Sequence, residues 1–214
     1  MDKKINNKNF LTKSVYLIAF FSLISFGQSY AASDTIVVYY SRTGKSEIVA
    51  KALSNFMGAE IIQIKDAKER SGSWGFIGAA YDSQMGNYTQ IEPAHIDFSM
   101  YKNVYLVTPI WNWKLSVPMR TLLHTTNLQG KKMTMVTTAN IDIKKYDGFG
   151  DDAPFIKRFL RDYLRDNRKG MLSLAKSSKA DIVQHFHIAT EGLSAEQIEE
   201  AAVSKISKTL AARK

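Results

Sequence analysis

Short apolar runs alternate along this chain with segments whose apolar residues recur at helical spacing. Runs rich in β-branched, aromatic or aliphatic residues predict strands at 35–40, 59–65, 104–108, 133–138, 171–175 and 182–188. Amphipathic or capped segments predict helices at 48–56, 75–85, 118–124, 155–164 and 194–210. Because the first strands are uniformly apolar and alternate with helices, the pattern predicts an α/β fold with a doubly wound parallel sheet, covered by helices on both faces.

Residues 1–31 have the three parts of a cleavable secretory signal peptide. The segment begins with a stretch containing four lysines, continues with a mostly apolar run of 12 residues at 15–26, and ends with the small residues Ser29 and Ala31. This run is shorter than the roughly 20 apolar residues of a membrane-spanning helix, which argues against an uncleaved anchor. We therefore expect cleavage after Ala31, export to the periplasm or secretion, no stable membrane anchor afterwards, and one domain at 32–214.

The composition narrows the chemistry that this domain can perform. The 214-residue chain contains no cysteine, which excludes disulfides, thiol catalysis and iron–sulfur ligation. Its formal net charge is +9, and residues 32–214 carry +6 of it, from 25 Lys and Arg against 19 Asp and Glu. A moderately basic surface suits an anionic partner, although it also serves solubility alone. No motif for reading nucleic acid accompanies this charge, so we expect no nucleic-acid partner.

The turn between the first strand and the first helix predicts a phosphate-binding loop. It places three hydroxyls and a glycine at a helix N-terminus, where free N–H groups and the helix dipole favour anions. The residues of this candidate loop are Ser41, Arg42, Thr43, Gly44, Lys45 and Ser46. The end of the loop also resembles a Walker A motif, but Tyr39 occupies the position of that motif's first glycine. An ordinary hydroxyl-capped turn remains the alternative.

A second candidate site follows the third strand. Two tryptophans at the carboxyl end of a strand suit a planar aromatic ligand, and this edge of a parallel sheet is where ligands bind. The residues of this segment are Pro109, Ile110, Trp111, Asn112 and Trp113. Trp111 and Trp113 have the spacing of a strand and would share a face, so the alternative is that both belong to the core.

Three motifs make the chain similar to the flavodoxin-like family. The sequence YYSRTGKS at 39–46 resembles that family's phosphate loop, S-x-T-G-x-[TS]. The sequence PIW at 109–111, followed by PMRT at 118–121, resembles its second flavin loop. The sequence ERSGSWGFIG at 69–78 resembles a segment found in one short-chain branch of the family. The resemblance extends over about residues 35–165.

The resemblance implies a five-stranded parallel sheet in the order 2-1-3-4-5 and FMN as a non-covalent cofactor. The three hydroxyl side chains and the backbone N–H groups of 41–46 would hold the phosphate. Segment 109–113 would line the flavin ring, with Trp111 as the best stacking candidate. The loop after the fourth strand would cover the other side of the ring with Thr138, Ala139 and Asn140.

Two departures from the family pattern bear on the flavin. Trp113 and residues 139–141 stand where the family tends to have glycines. In the family, the peptide at this position often flips when the flavin takes up one electron, and a glycine makes the flip easy because it accepts a positive φ. A bulky residue at 113 resists that φ, so we expect two-electron rather than one-electron chemistry. Two alternatives stay open. One is an exported binding or interaction protein with a degenerate flavin site, and the other is a one-electron carrier flavodoxin.

The residues and the resemblance together predict an FMN-dependent oxidoreductase of the NAD(P)H:quinone reductase type. Electron carriers of this family are usually acidic, whereas this domain is basic, which points to a small-molecule electron acceptor such as a quinone. A redox partner protein and a homodimer stay open as further partners. We assign no catalytic residue.

Two other polar pairs have simpler interpretations than catalysis or metal binding. His185 and His187 share a strand face, but without a third ligand nearby they indicate a surface or packing pair. Asp151 and Asp152 are interpreted as the start of the following helix rather than as a pair of catalytic carboxylates.

Overall fold

The computed structural model of this protein describes residues 33–68, 70, 72–112, 114–140 and 150–211. The signal peptide expected at 1–31 lies outside the described residues, as do Trp113 and the segment 141–149 after the fourth predicted strand. Within the described part of the chain, no helix combines the length and the apolar character that a membrane crossing requires.

The described residues form eight strands and five helices, which loops connect. The strands are β1 (Thr35–Tyr39), β2 (Glu60–Gln63), β3 (Lys65–Asp66), β4 (Ile91–Glu92), β5 (Asn103–Trp111), β6 (Lys114–Leu115), β7 (Lys132–Ala139) and β8 (Asp181–Ala189). The helices are α1 (Lys45–Met57), α2 (Gly72–Met85), α3 (Val117–Thr125), α4 (Phe155–Lys176) and α5 (Ala195–Ala211). The long strands alternate with helices, as the sequence pattern predicts.

The five long strands form a parallel sheet in the order β2-β1-β5-β7-β8, which confirms the predicted order 2-1-3-4-5. Two short antiparallel pairings add to it. β6 folds back on β5, with Ile110 opposite Leu115, and β3 pairs with β4 as a separate ribbon. These two-residue strands have no periodic pattern of their own, and long-range contacts create them.

The two faces of the sheet are buried by different helices, because successive side chains of a strand point to opposite sides. Ile36 and Val38 of β1 belong to one core cluster, which contains residues of α3 and α4. Val37 and Tyr39 belong to the other cluster, which contains residues of α1 and α5. This three-layer arrangement leaves the carboxyl ends of the strands free to carry a site.

The strand predicted at 171–175 is wrong, because these residues form the end of α4. Met171 and Ala175, one helical turn apart, are both buried in the cluster that contains α3. The run consists of Met, Leu, Ser and Ala, which are better helix formers than strand formers and include no β-branched residue. A short apolar run does not by itself distinguish a buried strand from a buried helical stripe.

The capping box predicted at the start of the last helix is confirmed. The Gln197 backbone N–H donates to the Ser194 side-chain oxygen at 3.3 Å, and the Ser194 N–H donates to Gln197 Oε1 at 2.9 Å. The inward residues Ile198, Ala202 and Ile206 are buried.

Candidate functional site

The phosphate-loop candidate forms a tight turn between β1 and α1. The Gly44 backbone N–H donates to the Ser41 side-chain oxygen at 3.1 Å, which closes the turn. Gly44 itself has a φ of 86°, a conformation that residues with a Cβ rarely adopt. α1 starts at the next residue, Lys45. The first N–H groups of this helix lack intrahelical partners and are therefore available at the turn.

Hydroxyls connect this loop with the end of β7. Ser46 Oγ and Thr138 Oγ1 share a buried hydrogen bond of 2.8 Å. The Thr43 side chain lines a cavity beside the loop and makes no hydrogen bond to any other described residue. Of the three loop hydroxyls, Thr43 is therefore the one left with its whole bonding capacity for a ligand.

Lys45 ties the phosphate loop to the two strand ends beyond it. Its Nζ donates to Asn140 Oδ1 at 3.1 Å and to the Thr190 carbonyl at 3.0 Å. Thr190 follows β8, and its hydroxyl donates to the Ala139 carbonyl at 3.2 Å. Sequence reasoning missed Thr190, although the residue directly after the fifth strand lies at the ligand-binding edge of a doubly wound sheet.

The turn between β5 and β6 forms the other border of the site. Trp111 pairs with Lys114, which leaves a two-residue connection that begins with Asn112. Asn112 has a φ of 45°, and asparagine is among the residues that tolerate this left-handed conformation in hairpin turns. The Asn112 Nδ2 donates to Gln84 Oε1 at 3.2 Å, which links the turn to α2.

These segments surround one cavity of about 330 Å³, within the size range of ligand pockets. Eleven of the fourteen residues predicted for the site line it, together with Thr190. The lining residues are Arg42, Thr43, Lys45, Ser46, Pro109, Ile110, Trp111, Asn112, Thr138, Ala139, Asn140 and Thr190. Ser41 and Gly44 shape the loop from behind, and Trp113 is outside the described residues.

Comparison with solved structures decides which fold this is. A Bacteroides uniformis protein assigned as a flavoprotein is 16% identical, covers 79% of this chain and 97% of its own, and has a TM-score of 0.53. A flavoprotein in complex with FMN from Lactobacillus acidophilus is 16% identical, covers 82% and 99%, and has a TM-score of 0.51. The chain has a flavodoxin-like fold. No protein-family model and no curated protein sequence matches it.

In this flavodoxin-like fold, Trp111 is part of the wall rather than an open platform. Its side chain is only 4% exposed. The centroids of the Trp111 and Tyr40 rings lie 5.4 Å apart in an edge-to-face arrangement, and the Arg70 guanidinium carbon lies 5.5 Å from the centre of the Trp111 ring. This placement agrees with the core interpretation of the tryptophan. Because Trp111 also lines the cavity, its role as the residue that stacks on a flavin stays a prediction.

A buried network of charges supports the Trp111 side of the cavity. Arg70 Nε lies 2.5 Å from an Asp66 oxygen, and Arg70 Nη1 lies 2.8 Å from Asp82 on α2. Lys68 also binds Asp82 at 2.8 Å, and this bond is the main cause that lowers the pKa of Asp82 to about 2. The ion pairs of Asp66, Lys68 and Arg70 therefore hold α2 in place through Asp82, and each buried charge has an opposite charge as its partner.

Sequence reasoning missed this network, although the family-like segment at 69–78 contains Arg70 and Gly75. A Cβ at Gly75 would lie 2.2 Å from the Arg70 carbonyl carbon, so only glycine permits this close approach.

Burial, followed by the charge of Asp66, raises the pKa of Tyr40 to about 12. Tyr40 therefore stays a neutral phenol.

The two histidines of β8 converge on one threonine of β7. His185 Nε2 and His187 Nδ1 each lie 3.0 Å from Thr137 Oγ1. Burial lowers the pKa of His185 to about 4. Among the described residues, no group of three or more His, Asp or Glu side chains is placed to hold a metal ion. The contacts are those of a packing pair.

Asp151 and Asp152 lie just before α4, which begins at Phe155. Asp151 binds Arg161 of that helix at 2.9 Å, so its carboxylate is engaged in a surface ion pair.

Proposed function

We propose that this protein binds FMN non-covalently in the cavity and acts as an oxidoreductase that transfers two electrons to a small molecule such as a quinone. The observation that carries the proposal is the cavity itself, in which a hydroxyl-rich helix N-terminus and an apolar strand end meet at the carboxyl edge of the sheet. The FMN in the Lactobacillus acidophilus flavoprotein of similar fold supports it.

The chemistry of the phosphate loop fits the phosphate of FMN. Arg42 and Lys45 supply two positive charges to the cavity wall, and Thr43 supplies a hydroxyl. The N-terminus of α1 adds backbone N–H groups and the positive end of the helix dipole. A phosphate dianion is the ligand group that best matches this combination of charge and donors.

The opposite part of the cavity fits a planar ring. Pro109 and Ile110 provide apolar surface, while Asn112 and Asn140 provide polar groups at its borders. FMN, when bound, would supply the redox chemistry. The chain would bind the ring, orient it and restrict the access of water.

The proposal is tested by titrating the purified apo-protein with FMN and with riboflavin, followed by flavin fluorescence. FMN should bind much more tightly, because riboflavin lacks the phosphate that the loop holds. Thr43→Ala should weaken FMN by about 10- to 150-fold, the equivalent of one lost bond to a charged group at roughly 1.5–3 kcal/mol. Thr126→Ala, at the end of α3, is the matched control. Equal affinities for FMN and riboflavin would refute the role of the loop.

A one-electron carrier is the second candidate, and Asn112 favours it. The resemblance suggested that the lack of glycine at 113 disfavours one-electron chemistry, yet Asn112 in the same turn already has a positive φ. Stepwise anaerobic reduction distinguishes the two functions. Direct conversion of oxidised to fully reduced flavin supports two-electron chemistry, whereas accumulation of a half-reduced species with long-wavelength absorbance supports the carrier.

Export is proposed on the sequence alone, from the basic, apolar and small-residue series of 1–31. N-terminal sequencing of the protein recovered from the periplasm or medium should begin at Ala32, within a residue or two. Intact Met1 in a cytosolic fraction would contradict this.

A further inference from the structure

One face of α2 is apolar, exposed and continuous. Trp74 is 85% exposed, Tyr81 60% and Met85 58%. With Gly78, these residues recur at intervals of four, three and four, so they form a single stripe about 16 Å long on the helix. Ile77, which is 56% exposed and lies three residues after Trp74, widens the stripe on one side. Monomeric proteins rarely leave so large a contiguous apolar patch in water.

The opposite face of α2 is fixed to the body of the protein, so the stripe is held in a defined position. Ala79 is buried in the core, and the Ser83 hydroxyl hydrogen-bonds the carbonyls of Trp111 and Leu115 at 3.2 and 3.1 Å. Arg120 donates to the Ser83 carbonyl at 2.7 Å. The helix therefore presents a preorganised surface to a partner.

From these observations we propose that α2 is a homodimer interface, in which the stripe packs against the same stripe of a second copy in antiparallel orientation. The charge distribution favours this occupant. The only charged residue of α2 is Asp82, which is buried and bound to Lys68 and Arg70, whereas residues 32–214 carry a net charge of +6. The stripe is thus a surface on which two copies of a basic chain meet without repulsion.

The order of residues along the stripe is self-complementary. In an antiparallel pair, Trp74 lies opposite Met85 of the second copy, and Tyr81 lies opposite Gly78 of the second copy. Both pairs share one midpoint, between Ala79 and Ala80, as a two-fold axis requires. A Cβ at Gly78 would meet no atom within 4 Å, so this position is an open notch that can receive the tyrosine ring. A methionine against a tryptophan is a favourable contact.

The size of the stripe suits a dimer. Trp74 and Tyr81, with aromatic side chains of ~150–250 Å² each, together with Ile77 and Met85, offer on the order of 500 Å² per copy. A specific interface buries at least about 1,000 Å² in total, or about 500 Å² per partner. An amphipathic membrane-binding helix would instead carry lysine or arginine beside its apolar face, and α2 contains neither.

Sedimentation velocity of protein purified from cells that produce the full chain tests the proposal. The protein should sediment as a dimer, and Trp74→Lys should raise the dimer dissociation constant at least about tenfold. Met100→Lys is the matched control, because Met100 is 74% exposed but lies outside α2, and it should leave the dissociation constant unchanged. A monomer at all concentrations overturns the proposal, as does a monomer that binds phosphatidylglycerol vesicles through Trp74.

A charge-pair rescue tests the antiparallel orientation. Trp74→Glu should weaken the dimer, and adding Met85→Lys should recover about tenfold in affinity, because two salt bridges then form per dimer. Trp74→Glu combined with Met100→Lys should show no recovery. A double Trp74→Glu, Met85→Lys variant that is no tighter than Trp74→Glu alone overturns the antiparallel arrangement. Circular dichroism of every variant should match that of the parent, which separates lost association from lost folding.

Discussion

The phosphate loop and the β5–β6 turn border the same cavity, but contacts of different range hold them in place. In the phosphate loop, the shaping bond joins Ser41 to Gly44, three residues apart. At the β5–β6 turn, Asn112 and the Trp111 carbonyl are held by Gln84 and Ser83 of α2, which lie 28 residues earlier in the chain. The turn of the phosphate loop is thus shaped by a local bond, and Ser46 and Lys45 only then connect it to the ends of β7 and β8. The second turn depends on α2 for its position, so the two should respond differently to substitution.

The largest effect should come from the charge network behind the β5–β6 turn. Arg70→Met leaves the carboxylates of Asp66 and Asp82 buried without their guanidinium partner, which we expect to lower the free energy of unfolding by about 3–5 kcal/mol. Urea denaturation followed by tryptophan fluorescence measures this. Lys65→Met, on the exposed side chain of β3, should change it by less than about 0.5 kcal/mol. A loss below about 1 kcal/mol for Arg70→Met would mean that the network does not support the turn.

The next effect depends on pH and concerns the contact of β8 with β7, the strand whose end contributes Thr138 to the cavity. Burial lowers the pKa of His185 to about 4, below the ordinary histidine pKa of roughly 6.5, and the nearby His187, Arg168 and Lys205 act in the same direction. As the pH falls, His185 is therefore protonated in the unfolded chain before it is protonated in the folded protein. The stability due to neutral His185 is present above pH ~6.5 and should be lost, by up to about 3 kcal/mol, as the pH falls towards 4.

His185→Gln should flatten this part of the stability profile, measured by urea denaturation at a series of pH values between 7 and 4. His95→Gln is the control, because His95 is exposed and lies before β5. An unchanged slope in His185→Gln would show that other groups cause the pH dependence.

Gly44→Ala should show a smaller effect that separates strain from packing. A Cβ at Gly44 meets no atom within 4 Å, so the cost comes from the φ of 86° alone and is about 1–2 kcal/mol. FMN affinity should fall as well, because the loop geometry relaxes. Gly170→Ala, in α4 with equally open space but an ordinary helical φ, should instead stabilise the protein by about 0.5–1 kcal/mol. Equal effects of the two substitutions would contradict the strained turn.

The smallest effect is expected at the corresponding position of the β5–β6 turn. Asn112→Gly should change the free energy of unfolding by less than about 1 kcal/mol, because relief at a φ of 45° is opposed by the greater freedom of glycine in the unfolded chain and by the loss of an exposed hydrogen bond to Gln84. Asn112→Val, which does not tolerate this φ, should cost more than Asn112→Gly in the same denaturation assay. If both substitutions are neutral, the turn is not constrained at Asn112.

The same difference in range explains which parts of the site were predictable. The phosphate loop was identified because its hydroxyls, glycine and helix start are adjacent in sequence. The Arg70 network, the choice of the core interpretation for Trp111 and the contribution of Thr190 were not, because each depends on contacts between different elements of the fold. The misassigned strand at 171–175 has a different origin, since its helix-forming residues and its lack of β-branched residues are visible in the sequence.

The sequence by itself determined the alternation of strands and helices, the order of the five main strands through the family-like motifs, and the position of the phosphate loop. These features follow from periodicity and from short-range turn chemistry, which a linear pattern records. Only the tertiary structure decided that the two loops enclose one cavity, that Trp111 faces inward, and that α2 leaves an apolar stripe uncovered. Burial and charge pairing depend on which segments are in contact in the folded protein, and a single sequence does not specify those contacts.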